Sequence, residues 1–577
     1  MKYTLVNPNY TENYIENLIS YRGGDIHRLE SCSIENSLES PSLLDNIEAA
    51  AELLLNSINR LDKKICLIVD CDVDGYTSST ILYKYIKSIN NNVEIDYYIH
   101  SGKQHGLEDM MDKLIGNTEY SLVCLPDAGS NEEDYHKTLK DIGIPVLVLD
   151  HHEALSYSKN AIVVNNQLSN NYKNKQLTGA GIVYQFCRYL DNKLNINIAN
   201  NFIDLAALGI ISDMGSVLSE ENYAIIKSGL NYKTKNYLFQ TLIEKQAYSI
   251  GDISNLTPIS ISFYITPLIN ALIRVGTLEE KQNLFKAFID GTQIVPSTKR
   301  GEKGLTEELV VQVTRNCVNA RARQNRIKDK AMENIGVRIF NQELTNNKIL
   351  VIQLDDDEDD FPSELNGLIA MGLAAKYKRP TLVLRENDDG YLRGSIRGLN
   401  NSELKSLKDY LESTGLFEYC LGHANAAGAS IKKSNINKFL EKSNIDLANF
   451  NFNDESYEVN FERYSYSTDL EKLVYDICKY SEYYGQDNSE PLIAVKDIHI
   501  SKQDIILMGK DKNTLKFEKQ GISFIKFNAD NMIEQLNDLD DITIELVGKA
   551  NINYWGGRTT PQIFIEDFNI KDGTFDF

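Results

Sequence analysis

The sequence has eight cysteines in 577 residues, and no two of them form a C-x-x-C pair. That spacing excludes a thiolate zinc cage. Scattered thiols at positions 32, 66, 71, 124, 187, 317, 420 and 478 fit a reduced, cytoplasmic protein better than a disulfide framework. Long hydrophobic runs are also missing: none is long enough to cross a bilayer, so no membrane partner is expected. The first residues, MKYTLVNPNYTENYIENL, lack the basic region and apolar stretch of a secretory signal. Nor is there an excess of positive charge, since 60 Lys and Arg against 82 Asp and Glu leave a net charge of −22. Such acidity argues against a polyanion binder that works through its overall field, although it permits a local basic track. Internal repeats, coiled-coil heptads and Pro-rich segments are absent. What remains, 42% apolar and 25% charged, is the composition of a globular protein long enough for about three or four domains.

The most informative segment present is Asp70-Cys71-Asp72-Val73-Asp74-Gly75, directly after the aliphatic run Ile65–Val69. The run reads as a buried parallel strand ended by a turn. Alternate residues of an extended chain share a face, so Asp70, Asp72 and Asp74 cluster where the chain turns at Gly75. Two unit charges about 4 Å apart repel by roughly 4 kcal/mol at an effective dielectric of about 20. Three carboxylates so placed must protonate, spread into solvent or bind cations.

Between about 60 and 230, strand-like runs (Ile65–Val69, Val93–Ile99, Ser121–Leu125, Pro145–Leu149, Ala161–Val164) alternate with helical stretches such as Ser78–Ile89 and Gly181–Leu190. This alternation predicts an α/β domain with a mainly parallel sheet, whose ligand site lies beyond the carboxyl ends of its strands. Leu305–Gly336 reads as one long helix ending at its glycine. It carries a basic stripe of Arg315, Arg321, Arg323, Arg326, Lys328 and Lys330, which is either a solvated linker face or the wall of a groove that tracks a nucleic-acid backbone. Lys348–Leu354, a helix from about Ser363 to Lys378, Thr381–Leu384 and Leu392–Ile396 predict a second α/β domain. The acidic run Asp355–Asp360 reads as solvated. Short β-type runs at Leu492–Val495, Ile542–Val547 and Gln562–Glu566 suit a small β-barrel.

Three further signals fall at segment ends of the first α/β region. They are Asp127-Ala128-Gly129 after Ser121–Leu125, Asp150-His151-His152-Glu153 after Pro145–Leu149, and Asp213 at the end of Ala206–Asp213. Taken singly, each aspartate reads as a helix cap or turn residue. Imidazole binds divalent metals, however, and an adjacent carboxylate can orient it. Acidic and histidine groups at the ends of successive segments of one domain point jointly to a metal centre.

DCDVDG, DAG, DHH and LGIISD, in this order and spacing, resemble the DHH phosphoesterase superfamily. Thr178-Gly179-Ala180-Gly181 resembles its glycine-containing turn into a helix. Several further segments resemble RecJ-type exonucleases: Pro267–Arg274, Arg393-Gly394-Ser395-Ile396-Arg397, Gly422-His423-Ala424-Asn425-Ala426-Ala427-Gly428, and Asn553–Arg558 leading to Gln562–Asp567. The resemblance covers about 60 to 570. The sequence departs from it at Leu421, before the signature glycine and histidine, at Gly398, where serine is common, at His105-Gly106, where tyrosine-glycine is common, and at Lys103, where arginine is expected.

The resemblance implies a parallel-sheet DHH catalytic domain with an N-terminal extension (1–235) and a connecting region with the long basic helix (236–340). A DHH-associated α/β domain (341–455) and an oligonucleotide-binding (OB) fold (456–577) follow. It implies two divalent cations, Mn²⁺ or Mg²⁺, held by Asp72, Asp74, Asp127, His151 and Asp213, with Asp127 bridging. Asp70 ligates directly or orients a metal water, and Asp150 supports His151. His152 meets the scissile phosphate or protonates the leaving oxygen. Arg274, Asn270, Ser395, Arg397, Gly422 and His423 would hold the substrate. The single tryptophan, Trp555, is a stacking platform or a packing residue. The implied activity is 5′-to-3′ hydrolysis of single-stranded DNA in recombination and repair, with a single-strand-binding protein or helicase as partner. Alternatives are a phosphodiesterase for short oligonucleotides or cyclic dinucleotides, and an inactive nucleic-acid-binding scaffold.

Overall fold

The computed structural model describes residues 1–6, 14–60, 62–102, 104–116, 119–231, 235–355, 359–387, 389–452, 456–536, 541–555 and 558–571. Lys103, the middle of the acidic run (356–358), Gly556 and Gly557 lie outside the described residues, as does the side chain of Trp555.

The aliphatic runs form the expected parallel sheet, in the order Ile95–Ile99, Lys64–Val69, Tyr120–Pro126, Val146–Asp150, Ile162–Asn165. Four of its strands are buried almost throughout, because helices cover both faces. The strand of this sheet that comes first along the chain, Lys64–Val69, lies between the sheet's second and third, so the order reverses beside it. A crevice opens outside the carboxyl ends at such a reversal. Asp70–Asp74 and Asp127 occur there.

The second sheet is mixed, in the order Phe417–His423, Ala426–Lys432, Tyr391–Arg397, Thr381–Glu386, Leu350–Leu354. A seven-stranded sheet follows, built on the long hairpin Asp541–Trp555 and Arg558–Lys571. The N-terminal strand Lys2–Leu5 pairs in parallel with Ser456–Val459, and Tyr14, Ile15 and Leu18 pack with Phe461, Leu470 and Val474. Lys2–Leu5 and Tyr14–Ile19 are therefore built into the C-terminal part of the molecule.

Several expectations need correction. The long helix runs from Leu309 to Asn341 and passes through Gly336 without stopping. Tyr377 Oη would lie 3.1 Å from a Cβ there, so the glycine admits a close neighbour rather than ending the helix. Nor is this helix a solvated linker. Leu309, Val313, Cys317 and Ala320 pack into the first core, and Ala331, Ile335 and Ile339 into the core of the second α/β unit. One rigid element thereby fixes the two units relative to each other. Asp359 of the supposedly solvated acidic run is buried and accepts from Arg338 Nη1 at 3.0 Å. Finally, Pro258–Val275 does have the length and apolarity of a membrane span. Half of it is buried in protein and the helix breaks at Ile265, so packing against the neighbouring helices accounts for its apolarity.

Candidate metal centre and substrate cleft

The acidic trio is shaped by the junction of strand and helix. Asp72 caps the helix Val73–Ile89 by accepting from Gly75 N at 2.9 Å. A Cβ on Gly75 would stand 2.6 Å from the Cβ of Asp70, so only glycine lets the turn close this tightly. Asp74, on the first turn, is buried against the start of the helix Gly179–Leu194. It accepts from Gly179 N at 2.7 Å, Ala180 N at 3.0 Å and Thr178 Oγ1 at 3.1 Å. Helix N-terminal donors stabilise a carboxylate in this position. Asp127 follows its strand in a left-handed conformation (φ 71°), which aspartate tolerates better than most residues. Asp213 ends the helix Ile203–Ser212.

These residues converge. His151 Nε2 lies 3.2 Å from Asp127 Oδ1, 3.4 Å from Asp213 Oδ2 and 4.0 Å from Asp74 Oδ2. Two donor groups result, Asp74–His151–Asp213 and Asp70–Asp72–Asp127, each with its donor atoms within 4.8 Å of one another. Asp127 adjoins both. Asp70 Oδ1 and Asp127 Oδ1 are buried and accept no hydrogen bond from the described residues. Each such oxygen costs about 1–3 kcal/mol, more when charged. Oxygen donors with one imidazole suit a hard divalent cation, so the residues present fit the implied metal.

Electrostatics agree with this reading. Burial pushes the carboxyls of Asp72 and Asp74 up and that of Asp127 well up. Asp213 rises to about 8, through burial and then the charges of Asp74 and Asp72. Burial and the neighbouring His152 push His151 down to about 4, which keeps it neutral as a ligating imidazole must be.

Asp150 supports the ring of His152, not that of His151 as expected. Its Oδ1 accepts from His152 Nδ1 at 2.8 Å and from the backbone N–H of His151 at 2.7 Å, and its Oδ2 accepts from Ser130 N at 3.0 Å. The backbone turns between the two histidines, so only the second ring folds back onto the carboxylate. Burial opposes a charge on His152, but the Asp150 hydrogen bond together with the charges of Asp150, Asp70 and Asp213 outweighs it and lifts the histidine to about 9. A raised histidine pKa stabilises the fold fully below about 6.5, the ordinary value, and this stabilisation is lost as pH rises through about 9. In chelator, His152 of the wild-type protein should titrate near 9 by NMR. Asp150→Asn should bring it towards the ordinary value, and an unchanged titration would refute the pairing.

Arg274 and Asn270 lie one turn apart on the helix Thr266–Val275. Burial pushes the Arg274 pKa down, the charge of Asp72 opposes that fall, and Arg321 of the long helix reinforces it. Arg397 is likewise lowered, by burial and then by Arg274, so the second α/β unit brings its arginine to the catalytic side. Within that unit, strand register sets Arg397, Ala426 and His423 side by side across three strands. Gly422 (φ 128°) precedes His423 on the exposed edge. A cavity of about 450 Å³ opens beside them, lined by Ser363, Asn366, Arg385, Arg393, Ser395 and Arg397. Gly367 leaves room for the Arg397 guanidinium, and Gly398 leaves room for the Asn425 amide, which explains the absence of serine at 398.

The basic stripe divides into two kinds of residue. Arg315 is paired with Glu307 at 2.6 Å and Arg323 with Glu280 at 2.8 Å, whereas Arg321 makes no ion pair among the described residues and faces Arg274. Arg321→Gln should therefore weaken single-strand binding and reduce its salt slope by about one. Arg323→Gln should lower stability and leave the slope alone. Titrations at several salt concentrations distinguish the two, and equal slopes for both variants and wild type would return the stripe to structural duty.

Residues 64–210 match the DHH family N-terminal domain, and residues 467–567 match the RecJ OB domain. YorK of Bacillus subtilis (strain 168), named as an SPbeta prophage-derived single-strand DNA-specific exonuclease, is 38% identical, over 99% of this chain and 98% of its own. The chain belongs to the RecJ family of DHH proteins. The single-stranded-DNA-specific exonuclease RecJ of the same organism is 24% identical over 92% of this chain and 64% of its own. The crystal structure of Thermus thermophilus RecJ in complex with Mn²⁺ shares the fold, with a TM-score of 0.71 and 19% identity over 99% of this chain and 80% of that one.

Some site residues of this RecJ-family chain escaped sequence reasoning. His105 Nδ1 lies 2.8 Å from Asp70 Oδ2, which lifts His105 to about 11. Thirty-five residues separate the pair, and no local pattern announces them. Gly209 packs against Asp74, and Gly179 against Asp127. Both occur in quoted motifs, but their need for bare backbone is visible only with the neighbours in place. Asn366 and Arg385 line the second-unit cavity without any spacing signal, beside Arg393 of the quoted strand motif.

Proposed function

We propose that this chain removes nucleotides from the 5′ end of single-stranded DNA by hydrolysing its phosphodiester bonds. Asp70, Asp72, Asp74, Asp127, His151 and Asp213 would hold two divalent cations, Mn²⁺ or Mg²⁺. One observation carries this reading: two three-donor groups meet at Asp127, with unpartnered buried oxygens between them. Two cations in such a site supply Lewis acidity at both the attacking and the leaving oxygen of an in-line displacement.

The protein's own groups do the rest. The N-terminus of the helix Gly179–Leu194 fixes Asp74 before substrate arrives. His152, charged near neutral pH and oriented by Asp150, would bind a phosphate oxygen or give its proton to the leaving oxygen. Arg274, Arg321 and Arg397 converge from three elements, and guanidinium forks suit bidentate phosphate contact. Asn270, Ser395, Gly422 and His423 complete the walls. These half-buried arginines would line a cleft suited to one strand rather than two. The chain would divide at about 235, 340 and 455 into catalytic, connecting, DHH-associated and OB parts. Its N-terminal strand is lent to the last of these. Strands exposed in the cytoplasm by a helicase, or coated by a single-strand-binding protein, are the substrates this geometry suits in recombination and repair.

The test is a time course with 5′- and 3′-labelled single- and double-stranded DNA and a cyclic dinucleotide, with Mn²⁺ or with chelator. The expected result is cation-dependent release of label from the 5′ end of single strands. Release from the 3′ end first or equal attack on duplex would overturn the reading. Faster cyclic dinucleotide turnover would favour the small-substrate alternative, and binding without hydrolysis would favour the scaffold.

A further inference from the structure

We infer that Asp70, Cys71 and His105 form a site for a thiophilic divalent cation, zinc above all, beside the proposed catalytic centre. Cys71 Sγ lies 3.7 Å from both His105 Nδ1 and His105 Nε2, and His105 Nδ1 lies 2.8 Å from Asp70 Oδ2. The three donor atoms fall within 4.8 Å of one another. Zinc bonds of about 2.3 Å to thiolate and about 2.0 Å to nitrogen or oxygen set tetrahedral ligands roughly 3.3–3.5 Å apart. Small side-chain movements therefore suffice to close the site.

Burial and access at the three donors point the same way. The Asp70 side chain is 2% exposed, yet its Oδ1 accepts no hydrogen bond. His105 is 52% exposed, so an ion reaches the group directly from solvent. The donor chemistry also differs from that of the neighbouring groups. Sulfur, nitrogen and oxygen together select zinc, whereas carboxylates with one imidazole select Mn²⁺ or Mg²⁺. On binding, the Cys71 thiol proton is released to solvent and the thiolate bonds the ion, with no change of oxidation state.

Asp70 belongs both to this site and to the Asp70–Asp72–Asp127 group. Zinc held here withdraws that carboxylate, so thiophilic cations inhibit hydrolysis. The inhibition rests on the proposed catalytic reading, but the binding does not.

The test compares wild type with Cys71→Val and Cys71→Ser. Equilibrium dialysis against zinc in excess Mg²⁺ should leave an additional zinc on the wild-type chain. Co²⁺ should give it a sulfur-to-metal charge-transfer band that both variants lack. Cys478, the other cysteine that is not fully buried, serves as control, because Cys478→Ser should keep the band. Mn²⁺-supported hydrolysis should persist in the Cys71 variants, with the inhibitory zinc concentration raised by about tenfold or more. Unchanged zinc stoichiometry and an unchanged cobalt band in both variants would overturn the site. A band lost on substitution, in a protein that hydrolyses nothing, would refute the catalytic reading and leave the zinc site standing. Circular dichroism checks that each variant is folded.

Discussion

Asp127→Asn lowers phosphodiester hydrolysis by at least about a thousandfold, or about 4 kcal/mol of transition-state stabilisation. The position leaves little room for a smaller effect. Asp127 adjoins both donor groups, is buried, and holds an oxygen with no hydrogen-bond donor. The amide keeps the volume and the left-handed backbone but removes the charge that would offset the proposed cations. Single-turnover hydrolysis at saturating Mn²⁺, alongside Mn²⁺ binding by calorimetry, checks this. A variant that binds a full complement of Mn²⁺ and cleaves at near the wild-type rate would show that Asp127 does not bridge. The fold should hold, because burial without metal already pushes this carboxyl towards its neutral form.

Gly179→Ala should do comparable damage by a different route. A Cβ there collides with the carboxylate of Asp127, while the same residue's N–H donates to Asp74 at 2.7 Å. Backing the helix away relieves the clash but lengthens that hydrogen bond and disturbs both donor groups together. Overpacking of this kind costs about 1–3 kcal/mol of stability. A misplacement of about an ångström in a reacting site costs on the order of a hundredfold in rate. Thermal melts with and without Mn²⁺, together with rates, separate the two effects. Saturating Mn²⁺ should raise the melting temperature of wild type more than that of the variant, since a ligand at about 100 times its Kd adds about 2.7 kcal/mol. Equal shifts and equal rates would show that the helix accommodates the methyl without moving the site.

Local chemistry made much of this legible. The aliphatic runs ending in Asp70, Asp127 and Asp150 each carry a complete signal, because a buried strand must stop where charges begin. Parallel order then places those ends together at one edge. The aspartates, His151 and Asp213 were therefore candidates before any coordinates. The long helix illustrates the opposite case. Its length was apparent within a few residues at each end, but the stripe looked uniform. Only packing against Glu307 and Glu280 separated Arg315 and Arg323 from Arg321, which makes no ion pair among the described residues. Gly336 looked like a terminus because glycine usually weakens a helix, and Tyr377, far away in sequence, gave it another purpose.

By itself the sequence determined the kind of chemistry, since carboxylates and imidazole at strand ends carry their metal preference wherever the chain goes. The tertiary structure decided which donor groups lie together and which ring Asp150 holds. It also decided that Cys71 meets His105, and that Arg274, Arg321 and Arg397 face one cleft. Apart from Asp150 and His152, those are relations between residues tens to hundreds of positions apart. Burial and electrostatic coupling depend on distance in space, and the order of residues along the chain does not encode that distance.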